Sequence, residues 1–172
     1  MARNNTVYLL VGQRASGKSS YAKRLIESQP ELSLVSRDEI LVRLFGSTDT
    51  NPYTGEQYIA ESVMDRLLRL KLSTQTDLRL ILDAWTGDSR SRRLLIEKLK
   101  QYGAARIVAL YFTTSVERVN MWFWQKPRIA KMEEMGKRRE EGLVFFSKDA
   151  PANDYEVFHK LASKIDCGRY RG

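Results

Sequence analysis

With 172 residues, 42% of them hydrophobic and 29% charged, the chain is long enough to close a core around a sheet and too short for two independent cores. One domain over 1–172 is expected, and the composition excludes a long disordered tail. The absence of an apolar run of membrane-span length, the lack of a signal-peptide core, and the single Cys167 argue for a cytoplasmic protein with no membrane partner, no internal disulfide and no cysteine metal site. The net charge of +8 favours anionic partners without singling out nucleic acid.

The run 6–11 (TVYLLV) is apolar, β-branched and aromatic and ends at Gly12, which predicts a buried strand. A helix is expected from Lys18 to about Ser28, ended by Pro30, followed by a short strand from Leu32 to Val35 and a short helix from Asp38 to Phe45 closed at Gly46. The turn-rich segment 47–55 reads as an exposed loop of the kind that shapes substrate sites. From Glu56 to Leu72, the apolar residues Ile59, Val63, Leu67 and Leu70 recur at helical spacing beside Met64 and Leu68, with Glu61, Asp65, Arg66 and Arg69 on the polar side. A third strand is expected from Leu78 to Ala84 with Asp83 near its end. A helix follows from about Ser89 to Tyr102, stopped by Gly103, and then a fourth strand from Ile107 to Phe112. Ser115 is placed to cap a further helix with Glu117 in its first turn. Beyond it, a basic helical lid is expected at about 115–142 and a last helix at 153–165. Strands alternating with helices predict an α/β fold: a three-layer P-loop NTPase architecture with a parallel sheet and helices on both faces.

The motif that carries chemistry is Gly12-Gln13-Arg14-Ala15-Ser16-Gly17-Lys18-Ser19, a complete G-x-x-x-x-G-K-S between an expected strand and an expected helix. Gly12, Ser16, Gly17, Lys18, Ser19 and Ser20 are the expected nucleotide-binding residues, because glycine-permitted turns aim successive backbone N–H groups at phosphates where a helix N-terminus adds positive potential. Lys18 is expected to reach the β- and γ-phosphates of ATP, and Ser19 with Asp83 to hold Mg2+. A chance Gly/Ser turn that merely starts a helix is the competing reading, and Arg14 receives no role.

Neither a guanine-reading N-K-x-D nor a D-x-x-G switch element follows the loop, and Ala84 stands after Asp83 where ring-forming ATPases carry a water-activating glutamate. A transferase is therefore favoured over a switch or a motor. Ser36-Arg37-Asp38-Glu39 comes directly after the second strand, at the sheet edge where ligands bind. Asp38 there can accept the proton of an attacking hydroxyl, or Asp38 or Ser36 can simply cap the helix; the upstream loop tips the balance to the base. Asp83 likewise holds a metal-bound water or caps the following turn, the metal role being favoured. Arg90, Arg92 and Arg93 at the next helix start either compensate a ligand or are solvated. The aromatic run Trp122, Phe123, Trp124 reads as packing surface in preference to a base-stacking platform.

The segments G-Q-R-A-S-G-K-S-S, V-S-R-D-E-I and L-I-L-D-A, followed by an arginine-rich helix start, resemble the phage-type polynucleotide 5′-hydroxyl kinase domain and its small P-loop relatives of the zeta-toxin and AAA_33 type, over roughly residues 6–118. The resemblance implies that Asp38 is the general base and that Lys18 and Ser19 contact phosphate and Mg2+, with Asp83 near the metal. Arg37, Asp38 and Arg43 are then the acceptor-binding residues. Position 41 is Leu where the family has the acceptor-binding arginine, so Arg43 is the nearest substitute, and Arg128 or Lys126 supplies the lid charge in place of the family's R-N-x-x-R. The function expected is ATP-dependent phosphorylation of a hydroxyl, a nucleotide or polynucleotide 5′-OH. The alternatives are a small-metabolite kinase of the same fold and a non-catalytic ATP- or nucleic-acid-binding module.

Overall fold

The computed structural model describes residues 3–48, 55–86 and 89–125, together with Asp154 and Phe158. In chain order it contains β1 (Asn5–Val11), α1 (Lys18–Ser28), β2 (Ser33–Ser36), α2 (Arg37–Phe45), α3 (Gly55–Thr74), β3 (Arg79–Asp83), α4 (Ser89–Tyr102), β4 (Ala104–Tyr111) and α5 (Val116–Trp124). The four strands form a parallel sheet in the order β2-β3-β1-β4. Because β3 lies between β1 and β2, the chain reverses its direction of winding beside β1, and a crevice opens at the carboxyl ends of the strands. Val11, Ser36 and Asp83 all end strands at that edge, and the register pairs Ser36 with Asp83.

Alternation along β1 assigns its side chains to two faces. Val7, Leu9 and Val11 join Leu68 and Leu72 of α3 and Leu99 of α4 in the larger core. Leu10 faces the other way, toward Ala22 of α1 and Ile81, with Tyr8, Leu25 and Ile26 packed around them. Helices therefore cover both faces, as the alternating pattern predicts. A smaller cluster of Ile40, Leu41 and Ala60 joins α2 to α3.

The start of β4, the packed face of α3 and the aromatic run differ from the sequence reading. β4 begins at Ala104, three residues before the apolar run, because Ala104 and Arg106 pair with Asn5 and Thr6; ladder hydrogen bonds outweigh the weak strand propensity of Ala and Arg. On α3 the buried residues are Ala60, Leu68 and Leu72, while Ile59 and Leu70 are 46% and 59% exposed. The helix is contacted by both α2 and the sheet, so its packed surface runs along 60-64-68-72 and not through Ile59 and Leu70. Phe123 is buried, whereas Trp122 and Trp124 are partly exposed, so only the middle residue of the aromatic run is core. The described part of the expected lid is α5, capped by Ser115, whose hydroxyl accepts from the Arg118 amide at 3.5 Å. Lys126, Arg128 and the remainder of the lid to 142 lie outside the described residues, as does most of the expected last helix. Among the described residues no helix is long and apolar enough to cross a membrane.

Candidate active site

The loop joining β1 to α1 is tightly wound. A Cβ on Gly12 would lie 2.8 Å from Ser16 Oγ and 2.9 Å from Phe112 Cβ, so no larger residue fits without displacing its neighbours. Ala15 and Gly17 have φ of 60° and 92°, and Gly17 begins α1 with no side-chain cap and no acidic residue in the first turn. The first amides of α1 thus lack a side-chain acceptor at the cap, the arrangement that receives an anion. Lys18 Nζ donates to the carbonyl oxygens of Gly12 at 2.6 Å and Gln13 at 2.7 Å, which holds the ammonium against the loop backbone. Ser16 Oγ and both side-chain polar atoms of Gln13 are buried with no hydrogen-bond partner among the described residues, although such groups are normally satisfied. Ser20 is exposed on the first turn of α1.

Opposite the loop, Ser19 Oγ donates to Asp83 Oδ2 at 2.6 Å. Asp83 is 7% exposed, and burial pushes its carboxyl above the ordinary value; the Ser19 hydrogen bond and the Lys18 charge pull it back, while Asp38 pushes it up. Ser36 is the N-cap of α2, accepting from the Glu39 amide at 3.4 Å. The capping task belongs to Ser36, so the Asp38 carboxylate is not consumed by it. Asp38 is half exposed and lies 3.3 Å from an Arg37 guanidinium nitrogen. Ser19, Asp38, Arg43 and Asp83 line one cavity of about 340 Å3, with Lys23 and Thr48 also on its wall. The tertiary structure therefore gathers the expected metal ligands, base and acceptor-binding arginine around a common space. Leu41, in contrast, is 1% exposed in the α2–α3 cluster, which accounts for an apolar residue at this position.

These residues suit a nucleotide with Mg2+. The loop offers unpartnered buried donors and an uncapped helix start for phosphates, and Ser19 with Asp83 forms a hydroxyl–carboxylate donor pair. Among the described residues no group of three or more His, Cys, Asp or Glu is placed to hold a metal. Mg2+ in phosphate sites takes one or two protein oxygens and fills its shell with phosphate and water.

Residues 7–140 match the profile of the AAA domain family. The chain belongs to this family. No curated protein matches the chain. Among solved structures, this AAA domain is similar to a chain of the Pnkp1/Rnl/Hen1 RNA repair complex, with 21% identity and a TM-score of 0.68 over 96% of this chain and 48% of that one. A chain of a Pnkp1/Rnl/Hen1 complex shares 23% identity and a TM-score of 0.58 over 69% of this chain and 39% of that one. A proposed kinase from Chloroflexus aurantiacus shares 15% identity and a TM-score of 0.58, covering 76% and 70% of the two chains. The AAA domain thus spans less than half the length of the first two, and all three likenesses establish the shared P-loop fold.

Several contacts of this AAA domain carry no mark in the sequence pattern. Thr114 Oγ1 donates to Ser16 O at 2.9 Å and ties the loop to the segment after β4. Buried Thr86 donates to Leu10 O at 3.1 Å, and its own carbonyl accepts from Arg92 at 2.7 Å. Arg92 is thereby occupied in holding the turn after β3, while Arg90 and Arg93 are exposed. The one available signal is that Thr86 and Thr114 each fall just beyond the carboxyl end of a strand. Arg14 makes a two-pronged pair with Asp154, far along the chain, which no local spacing foretells.

Proposed function

We propose that this protein is an ATP-dependent phosphotransferase that moves the γ-phosphate of ATP to a hydroxyl acceptor, a nucleotide or polynucleotide 5′-OH, in a reducing, cytoplasmic setting. The observation that carries the reading is that Asp38, with its capping role taken by Ser36, shares a cavity with Ser19, Asp83 and Arg43 at the carboxyl edge of the sheet. Lys18 and the loop amides would hold the phosphates, and Ser19 with Asp83 would hold Mg2+, which when bound neutralises charge developing on the phosphate oxygens. The acceptor hydroxyl gives its proton to Asp38 as its oxygen bonds to the γ-phosphorus. The bond from that phosphorus to the β–γ bridging oxygen breaks, and ADP leaves with the electron pair. Arg37 lies against Asp38 and orients it, Arg43 offers a positive contact to the acceptor, and Arg128 is assigned the lid charge from sequence.

A second reading keeps this chemistry with a small-metabolite acceptor. It is favoured by the size of the cavity, about 340 Å3, which lies at the lower end for small-ligand sites, and by Leu41 in place of the acceptor-binding arginine. The test is transfer of labelled γ-phosphate from Mg·ATP to 5′-OH DNA, 5′-OH RNA, nucleosides and pooled metabolites, by wild type and Asp38→Ala. Label on an oligonucleotide end, reduced at least about hundredfold in Asp38→Ala with ATP affinity kept, supports the lead reading. Label only on a metabolite replaces the acceptor, and transfer to nothing leaves a nucleotide-binding module.

A further inference from the structure

The tip of the phosphate loop is held from outside the motif. Arg14 Nε and a terminal guanidinium nitrogen donate to the two carboxylate oxygens of Asp154 at 2.6 and 3.0 Å. The same guanidinium lies over the Trp85 ring, 5.5 Å from its centroid, and Trp85 meets Phe158 edge-on at 5.9 Å. Phe158 is buried in the larger core, and its carbonyl accepts from the Tyr111 hydroxyl at 3.0 Å. Asp154 and Phe158 are both helical.

A two-pronged Arg–carboxylate pair is directional, and the Asp154 side chain is only 15% exposed, so the contact is less screened than an ordinary surface pair. Arg14 directly precedes Ala15, the non-glycine residue with positive φ, a conformation that persists only where the surroundings impose it. Thr114 fixes the loop at Ser16 and Lys18 fixes it at Gly12 and Gln13; the Asp154 contact fixes the turn between them. We infer that Asp154 is a positioning residue for nucleotide binding: it anchors Arg14, keeps the loop in its phosphate-receiving curve, and couples nucleotide binding to the docking of Asp154 and Phe158. Linkage makes this reciprocal, so bound nucleotide must tighten that docking by the factor that docking gives to nucleotide affinity. The inference rests on the nucleotide-binding part of the proposed function and not on phosphoryl transfer.

The experiment uses the full chain and a non-hydrolysable ATP analogue with Mg2+. Asp154→Ala is expected to weaken analogue binding at least about fivefold, and to have no further effect in an Arg14→Ala background, the signature of a residue acting through its partner. In the wild type the analogue is expected to slow backbone hydrogen exchange around Phe158 by at least about fivefold, and this protection disappears in Asp154→Ala. Unchanged affinity in a folded Asp154→Ala, or wild-type exchange at Phe158 indifferent to bound analogue, overturns the inference. Should Asp154→Ala fail to fold, the wild-type exchange measurement decides. A wild type that binds no analogue overturns both this inference and the nucleotide reading, whereas binding without transfer to any acceptor removes only the kinase reading.

Discussion

Asp83 shows how the site sets one residue against its own solvation. Burial raises its pKa above the ordinary 3.8, and the Ser19 hydroxyl and Lys18 charge only partly restore the ionised form. With the folded value above the unfolded one, the folded state binds more protons between the two. The stability present below the unfolded pKa is therefore lost as pH rises through the folded pKa. Asp83→Asn keeps an oxygen for Ser19 and removes the charge. In the absence of ligand, calorimetry across the acidic to neutral range should find this variant melting above wild type at neutral pH, with the gap closing on acidification. With Mg2+ and ATP at about a hundred times the dissociation constant, the wild type should gain roughly 2.7 kcal/mol and the variant clearly less. A variant less stable than wild type in both conditions would show that the carboxylate is structural.

At the scale of an element, α2 does three things in nine residues. Its N-cap Ser36 satisfies the Glu39 amide, its first turn presents Asp38 to the cavity, and Ile40 with Leu41 packs on α3 before Gly46, at φ 74°, ends it. An arginine at position 41 would enter the apolar cluster of Ile40 and Ala60, where Leu41 is 1% exposed. Leu41→Arg is expected to cost roughly 3–5 kcal/mol in urea denaturation, as an uncompensated buried charge does. Arg43→Ala should leave stability within about 0.5 kcal/mol of wild type and raise KM for the acceptor, since Arg43 is an exposed residue on the cavity wall. A stable Leu41→Arg with improved acceptor KM would show that this helix turns its other face to the substrate.

Across the whole molecule, Asn5 joins elements distant in sequence. Fully buried, its Nδ2 donates to Leu72 O and Gln75 O at 2.9 Å each and approaches Gly103 O at 3.3 Å, and its Oδ1 accepts from the Leu78 amide at 2.8 Å. One side chain thus ties the start of β1 to the end of α3, the entry to β3 and the turn before β4. Asn5→Ala strands several of these backbone groups away from water and is expected to cost roughly 3 kcal/mol or more by urea denaturation, with ATP affinity of the folded fraction unchanged because the site lies at the opposite edge of the sheet. A loss below about 1 kcal/mol would mean that water replaces the amide.

The primary sequence by itself determined the order of the described strands and helices and the phosphate loop, and it singled out Asp38 and Asp83 as candidates, which the fold brings to one cavity. These are local facts: apolar runs, helix stops at Pro30 and Gly46, and a glycine-lysine motif between a strand and a helix each declare themselves within a few residues. Tertiary structure alone decided that Ser36 and not Asp38 caps α2, that Leu41 is core, and that α3 packs through Ala60 and Leu72 and leaves Ile59 and Leu70 outside. It also brought Asp154 onto the loop and Asn5 to the chain's other turns. Those outcomes depend on which neighbours a side chain meets once the sheet has closed, and contacts across 67 to 140 residues leave no periodicity in the chain to read.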